Sequence, residues 1–119
     1  MSKIFLIEDS SFQRQFIEKV LAKWGFSCVM AKNGTESISL IKETPDIKVL
    51  FLDLGLPDID GLDLFARIRS ETTYQGPIVI LSAKNEIQGL EKAKAMGAYG
   101  YILKPIKVNE FKELLDNLP

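Results

Sequence analysis

Residues 49–61 read Val49-Leu50-Phe51-Leu52-Asp53-Leu54-Gly55-Leu56-Pro57-Asp58-Ile59-Asp60-Gly61. The run Val49 to Leu52 is short and continuously apolar, the pattern of a strand buried on both faces of a parallel sheet. It stops at an acid, Asp53, followed by the turn Leu54-Gly55-Leu56-Pro57. Such an acid is either an ordinary polar strand end or a working group. What lies at the ends of the other strands decides between the two.

Four more short apolar runs read as buried strands: Ile4 to Ile7, Cys28 to Met30, Ile78 to Leu81 and Tyr101 to Leu103. Longer stretches with helical spacing separate them. The spacing is clearest in Phe12, Phe16, Ile17, Val20, Leu21 and Trp24, and in Val108, Phe111, Leu114, Leu115 and Leu118. Leu62, Phe65, Ala66 and Ile87, Leu90, Ala93 fit it less fully, and Thr35 to Glu43 is the weakest of the predicted helices. Gly25 and Gly97 stand where helix C-caps belong, and Gly76-Pro77 precedes a strand. Ser10 with Gln13 resembles a capping box opening the first helix. Strand and helix alternating in this way predict an α/β domain over residues 1–119, with a parallel sheet and helices on both faces.

Ligands of such sheets bind at the carboxyl ends of the strands, near the point where strand order reverses. Those ends carry Glu8-Asp9, Asp53, Ser82-Ala83 and Lys104-Pro105. Each has an ordinary explanation: Asp9 as a helix cap, Glu8 as a solvated loop acid, Lys104 as a surface lysine. Together they put three carboxylates, a hydroxyl and an ammonium in one pocket. Crowded carboxylates raise one another's pKa unless a cation offsets them. Lys104 supplies one positive charge, and a hard divalent ion such as magnesium suits the remaining oxygens. A metal, an ammonium and a hydroxyl around one central carboxylate are equipment for phosphoryl transfer, with Asp53 as nucleophile.

Composition narrows the alternatives. The 119 residues, 46% hydrophobic, suffice for one ordinary core. Fifteen Lys and Arg against 16 Asp and Glu give a formal charge of −1, which argues against a nucleic-acid or membrane surface. No apolar run approaches the roughly 20 residues needed to cross a bilayer. Met1-Ser2-Lys3 leads into the first strand without a secretory signal, so a cytoplasmic protein is expected. The lone Cys28 reads as a structural thiol, and the absence of histidine removes histidine-based mechanisms.

At these residues the sequence resembles the response-regulator receiver domain of bacterial two-component signalling. The resemblance runs through Leu6-Ile7-Glu8-Asp9, Leu52 to Gly61, Leu81-Ser82-Ala83, and Gly97-Ala98 to Tyr101-Ile102-Leu103-Lys104-Pro105. It implies a flavodoxin-like five-stranded parallel sheet of order 2-1-3-4-5. It also implies a Mg2+-dependent switch rather than a turnover enzyme. Asp53 would receive a phosphoryl group from a sensor histidine kinase or histidine phosphotransfer protein. Asp9, Asp53 and the backbone carbonyl of Gly55 would hold magnesium, with Glu8 acting through water. Ser82, Ala83 and Lys104 would contact the phosphoryl group, and Tyr101 would turn from exposed to buried. The Lys104-Pro105 bond would be cis. A face built from the fourth helix, fifth strand and fifth helix, including Tyr101, Lys107 and Glu110, would address an output partner or domain. A phosphorylation-dependent homodimer is a further expectation.

Two departures bear on phosphate lifetime. Gly55 stands where many relatives carry a larger side chain, and Lys84 follows the switch hydroxyl by two residues; Lys84 reaching across Gly55 is the expectation they raise. The stretch Ala98-Tyr99-Gly100-Tyr101 lacks the paired acids common in winged-helix regulators. A phosphatase of the haloacid dehalogenase type would want an Asp where Gly55 stands. A pseudo-receiver would not keep the full set Asp9, Asp53, Ser82 and Lys104. A flavin-binding module would need a Ser/Thr- or Gly-rich cradle after the first strand, which is missing.

Overall fold

The computed structural model describes residues 2–119, apart from the side chain of Lys84. Five strands, β1 (Lys3–Ile7), β2 (Ser27–Ala31), β3 (Ile47–Asp53), β4 (Ile78–Ser82) and β5 (Gly100–Leu103), alternate with five helices. These are α1 (Ser11–Lys23), α2 (Gly34–Glu43), α3 (Gly61–Glu71), α4 (Ile87–Ala95) and α5 (Val108–Asp116), with one 3-10 turn at Lys84–Glu86. All strand pairs are parallel, in the order β2-β1-β3-β4-β5. The expected architecture is therefore observed, including a regular α2 in the stretch where helical spacing was weakest.

Period-two alternation divides the strand side chains between two cores. Phe5, Ile7, Leu50, Leu52, Ile78 and Ile80 meet Ile38 and Ile41 of α2, Leu64, Phe65 and Ile68 of α3, and Leu90 of α4. On the other face Ile4, Leu6, Val49, Phe51, Val79 and Leu81 meet Ile17 and Leu21 of α1 and Phe111 and Leu115 of α5. Phe111 bridges Phe51 and Trp24, with ring centroids 4.9 and 6.0 Å away. Each fully buried aliphatic or aromatic side chain contributes about 1.5–3 kcal/mol relative to exposure. Burial on both faces is why Ile4 to Ile7, Val49 to Leu52 and Ile78 to Leu81 run apolar without a break, with Lys3 and Lys48 confined to the strand starts.

The helix ends follow their local chemistry. Gly25 and Gly97 adopt φ of 85° and 102°, the left-handed conformation that closes α1 and α4. Behind them Phe26 and Ala98 donate back to the carbonyls of Leu21 and Ala93. At the start of α1 the Ser10 hydroxyl accepts from the Gln13 N–H at 3.2 Å. The reciprocal half of the predicted capping box is replaced: the Ser10 N–H points at Glu8 Oε2, 3.4 Å away. The nearby acid at the strand end draws that amide toward itself.

One tie crosses between loops. Asp58, in the turn after β3, accepts from the N–H groups of Gly34 and Thr35 at 2.9 Å each and from the Thr35 hydroxyl at 2.8 Å. It supplements the Asn33 side chain, which accepts from Glu36 at 2.8 Å, as a cap for α2. The two backbone N–H bonds are the main reason its carboxyl lies at about 2, below the ordinary 3.8. Replacing Asp58 with Ala is expected to cost about 1 kcal/mol at neutral pH, a typical cap value. The bonds need the carboxylate, so this contribution is complete above the ordinary carboxylate range and fades as pH falls toward about 2. Urea denaturation of both proteins at pH 7 and near pH 2 checks this: the gap is expected at the first and nearly closed at the second.

Candidate functional site

The carboxyl ends of β1, β3, β4 and β5 present the predicted residues on one edge. Sheet-like bonding continues one residue past several strands. Glu8 N–H donates to Ala31 O at 3.1 Å, Leu54 N–H to Leu81 O at 3.1 Å and Lys104 N–H to Ser82 O at 2.8 Å. The key acids and the lysine are therefore mounted on the rigid sheet edge rather than on free loops. Strand order reverses at β1, flanked by β2 and β3, which is where a ligand site is expected.

Glu8 and Asp53 are buried, with 0% and 2% of their surface exposed, while Asp9 is exposed. One carboxylate oxygen from each of the three lies within 4.8 Å of the others. Lys104 Nζ reaches into this group, 3.0 Å from Glu8 Oε1 and 3.1 Å from Asp53 Oδ2. The other oxygen of Asp53, Oδ1, accepts from the Gly55 N–H at 2.9 Å. Asp53 is thus held at both ends.

One ammonium does not neutralise two buried acids and a third beside them. Burial pushes the Glu8 carboxyl up to about 8, helped by its neighbour Asp53 and resisted by Lys104. Burial opposes ionisation of Asp53 as well, yet the Glu8 carboxyl, the Gly55 N–H and Lys104 together hold Asp53 below the usual carboxylate range. Burial draws Lys104 down, but the two acids outweigh it and keep the amine charged. The arrangement thus draws Asp53 toward its ionised form and Glu8 toward its protonated one. Glu8 Oε1 has only its Coulombic contact with Lys104 and no hydrogen-bond partner, although it is fully buried. A buried carboxylate oxygen whose one partner is an ammonium it shares with Asp53, beside two further carboxylates, fits a hard cation or its bound water.

The remaining predicted residues have distinct placements. Ser82 is buried at the end of β4, and its hydroxyl donates to the Ala83 carbonyl at 3.1 Å, making no bond to Asp53. The Lys104-Pro105 peptide is cis. Tyr101 is 42% exposed and lies under Lys94 Nζ, 4.7 Å from the ring centroid, so the side chain occupies an outward position. Tyr99 is also exposed and donates through its hydroxyl to Asn117 O at 2.9 Å, tying β5 to the end of α5. Burial pushes the half-buried Cys28 thiol up to about 12, in keeping with an unreactive structural cysteine. The expectation for the Lys84 side chain falls outside the described residues.

Two residues escaped the sequence reading. Arg14 on α1 turns Nη1 back to the carbonyls of Glu8 and Asp9, 2.8 Å from each. It clamps the backbone that carries both acids. Glu86, three residues after Ala83, accepts the Ala83 N–H at 2.8 Å through Oε1. Its Oε2 lies 3.5 Å from the point where a side chain on Gly55 would begin, a point 3.6 Å from Asp53 Oδ1. The space left open by Gly55 is thus bordered by a fourth carboxylate. Neither residue sits at a strand end, the only place the sequence argument searched.

Comparison with known proteins agrees with this edge chemistry. The family model described as "Response regulator receiver domain" matches residues 4–116. A "Chemotaxis protein CheY homolog" of Campylobacter jejuni is 30% identical over 118 residues, spanning 98% of this chain and 91% of that protein. The Staphylococcus aureus "Transcriptional regulatory protein KdpE" is 38% identical over 93% of this chain but only 47% of its own length. Among solved structures, a response regulator receiver domain protein from Clostridium thermocellum superposes with a TM-score of 0.90 at 25% identity, covering 99% of this chain and 94% of that one. Vibrio cholerae CheY4 shares the fold at the same TM-score and 23% identity, covering 100% and 99% of the respective chains. Receiver domains are signalling modules rather than turnover enzymes, and they pair with histidine kinases. By fold, by acidic triad and by family match, this chain belongs to the response-regulator receiver domain family.

Proposed function

We propose that Asp53 is the phosphoacceptor of this receiver and that its acyl phosphate switches the domain between two signalling states. The observation that carries this reading is the geometry of one carboxylate. Asp53 is buried, held below the usual carboxylate range by its neighbours, and tied through Oδ1 to the Gly55 amide and through Oδ2 to Lys104, among three converging acids.

In the forward step a carboxylate oxygen of Asp53 attacks the phosphorus of a phosphohistidine on a kinase or phosphotransfer protein. The new O–P bond forms as the P–N bond breaks, and the electron pair leaves with the imidazole nitrogen. Lys104 offsets the charge of the transferred group. Its ammonium already lies against Asp53, close to where that charge arrives. Hydrolysis returns the carboxylate when water attacks phosphorus and Asp53 departs. Magnesium held by Asp9, Asp53 and the Gly55 carbonyl, with Glu8 acting through water, would supply the remaining charge neutralisation.

The output follows from the position of β5. Lys104 directly follows this strand, and Tyr101 stands three residues earlier on its exposed side. A shift of Lys104 and Ser82 toward a phosphoryl group would move the strand end that carries Tyr101. A change of a few kcal/mol suffices to alter which state dominates. The face of α4, β5 and α5, with Tyr101, Lys107 and Glu110, is the surface through which a partner or attached output domain would read it. As a receiver it would work in the cytoplasm.

Incubation with magnesium and acetyl phosphate, followed by intact mass measurement, tests the assignment. Wild-type protein is expected to gain one phosphoryl group and Asp53→Ala none. A folded wild type that gains none, or an Asp53→Ala protein that gains as much, would contradict the assignment, and steady release of phosphate from many monoesters would favour a phosphatase. The Arg14 clamp gives a second expectation. Arg14→Met should leave the fold intact but loosen the Glu8-Asp9 backbone, weakening magnesium binding about 10-fold, a loss typical of removing a group that orients ligands. Calorimetric titration of both proteins with MgCl2 checks it, and equal affinities would remove Arg14 from the site.

A further inference from the structure

The 3-10 turn after β4 closes on itself in both directions. Glu86 N–H donates to Ala83 O at 3.0 Å, and Ala83 N–H donates to Glu86 Oε1 at 2.8 Å. The second bond uses the backbone amide beside Ser82, on the edge where a phosphoryl group on Asp53 would sit. A carboxylate on that amide is an anion already seated where another anion is expected. Its second oxygen, Oε2, lies 3.5 Å from the point where a Gly55 side chain would begin, and Asp53 Oδ1 lies 3.6 Å from the same point. Any side chain at position 55 would start in van der Waals contact with both acids. With glycine at position 55 no side chain stands between the Glu86 and Asp53 carboxylates there.

We propose that Glu86 is an internal anion that holds the Ala83 amide in the resting protein and must leave it for Asp53 to be phosphorylated. The inference rests on Asp53 being the phosphoacceptor. It adds a residue that sets how readily the phosphoryl group enters. Two physical effects act in one direction. A dianionic donor approaching Asp53 meets the like charge of Glu86, and the transferred group competes with Glu86 for the amide. A displaced Glu86 has space to move into: a cleft of about 300 Å³ lies beside it, lined by Leu54, Asp60, Gly61, Leu62 and Asn85. The backbone bond from Glu86 N–H to Ala83 O does not involve the side chain, so the carboxylate can leave the Ala83 amide without breaking that bond.

The test compares initial rates of phosphorylation by acetyl phosphate and magnesium, read by intact mass, in wild type, Glu86→Ala, Glu86→Gln and Glu91→Gln. Glu91 is an exposed acid of α4 outside the site and controls for net charge. Glu86→Ala is expected to react about 10-fold faster than wild type, since a charge-assisted hydrogen bond of ordinary strength no longer competes. Glu86→Gln keeps an acceptor without the charge and should fall between them, while Glu91→Gln should match wild type. In the unphosphorylated protein, the Ala83 amide proton should shift upfield and exchange faster with solvent in Glu86→Ala. Thermal melting identifies any variant that fails to fold, and near-isosteric Glu86→Gln then carries the test. Wild type labelled on Asp53 together with Glu86 variants no faster than wild type would overturn the proposal and leave the phosphoacceptor assignment standing. Equal acceleration in Glu91→Gln would reduce the effect to net charge and also overturn it. A wild type that accepts no phosphoryl group removes the assignment and this proposal together.

Discussion

The ammonium of Lys104, set between two buried carboxylates, is the contact on which the rest of the site depends. A buried acid without a partner loses its charge or destabilises the fold by several kcal/mol. Lys104 lies about 3 Å from both Glu8 and Asp53, yet one positive charge between two acids leaves an excess. The protein meets it by holding Asp53 below the usual carboxylate range and pushing Glu8 up to about 8. Such a centre is poised to accept positive charge from a metal, and then to accept a phosphoryl group whose negative charge that metal and Lys104 can share.

The fold serves this arrangement by making the sheet edge rigid. Glu8, Asp53 and Lys104 come from different strands, and their spacing is fixed by a parallel ladder that runs on past the strand ends. Two hydrophobic layers hold that ladder from both faces, while Arg14 and Asp58 fasten the loops that leave it. The groups that the proposed switch would move, Ser82, Glu86 and Tyr101, lie on the β4 and β5 side.

Much of this was legible in the sequence because both signals are local. Continuous apolar runs such as Val49 to Leu52 mark strands buried on two faces, and the residue ending each run falls on one edge once all strands are parallel. Glu8, Asp9, Asp53 and Lys104 were found in that way, and the structure brings them together. Ser82 reaches the same edge but bonds to its own neighbour, a rotamer choice no sequence pattern encodes. Arg14, Asp58 and Glu86 act through side chains that fold back onto distant or adjacent backbone. Each reads in sequence as an ordinary exposed polar residue of a helix or turn. Glu86 has one visible signal: it stands three residues after Ala83, a spacing from which an acid can bond back to the amide that opens the turn. Of the capping box read from Ser10 and Gln13 only the Ser10 half forms, for a related reason: Glu8 takes the Ser10 amide that the Gln13 side chain was expected to take.

Chemical mapping of the phosphorylated residue tests the central claim most directly. Borohydride reduces an aspartyl phosphate to the corresponding alcohol and leaves free carboxylates and phosphate esters intact. After treatment with acetyl phosphate and magnesium, reduction and proteolysis, the account predicts the reduced side chain at position 53 and unaltered acids at positions 8, 9 and 86. A reduced side chain at any of those three positions instead of 53, or phosphate retained on a serine, threonine or tyrosine, would contradict it.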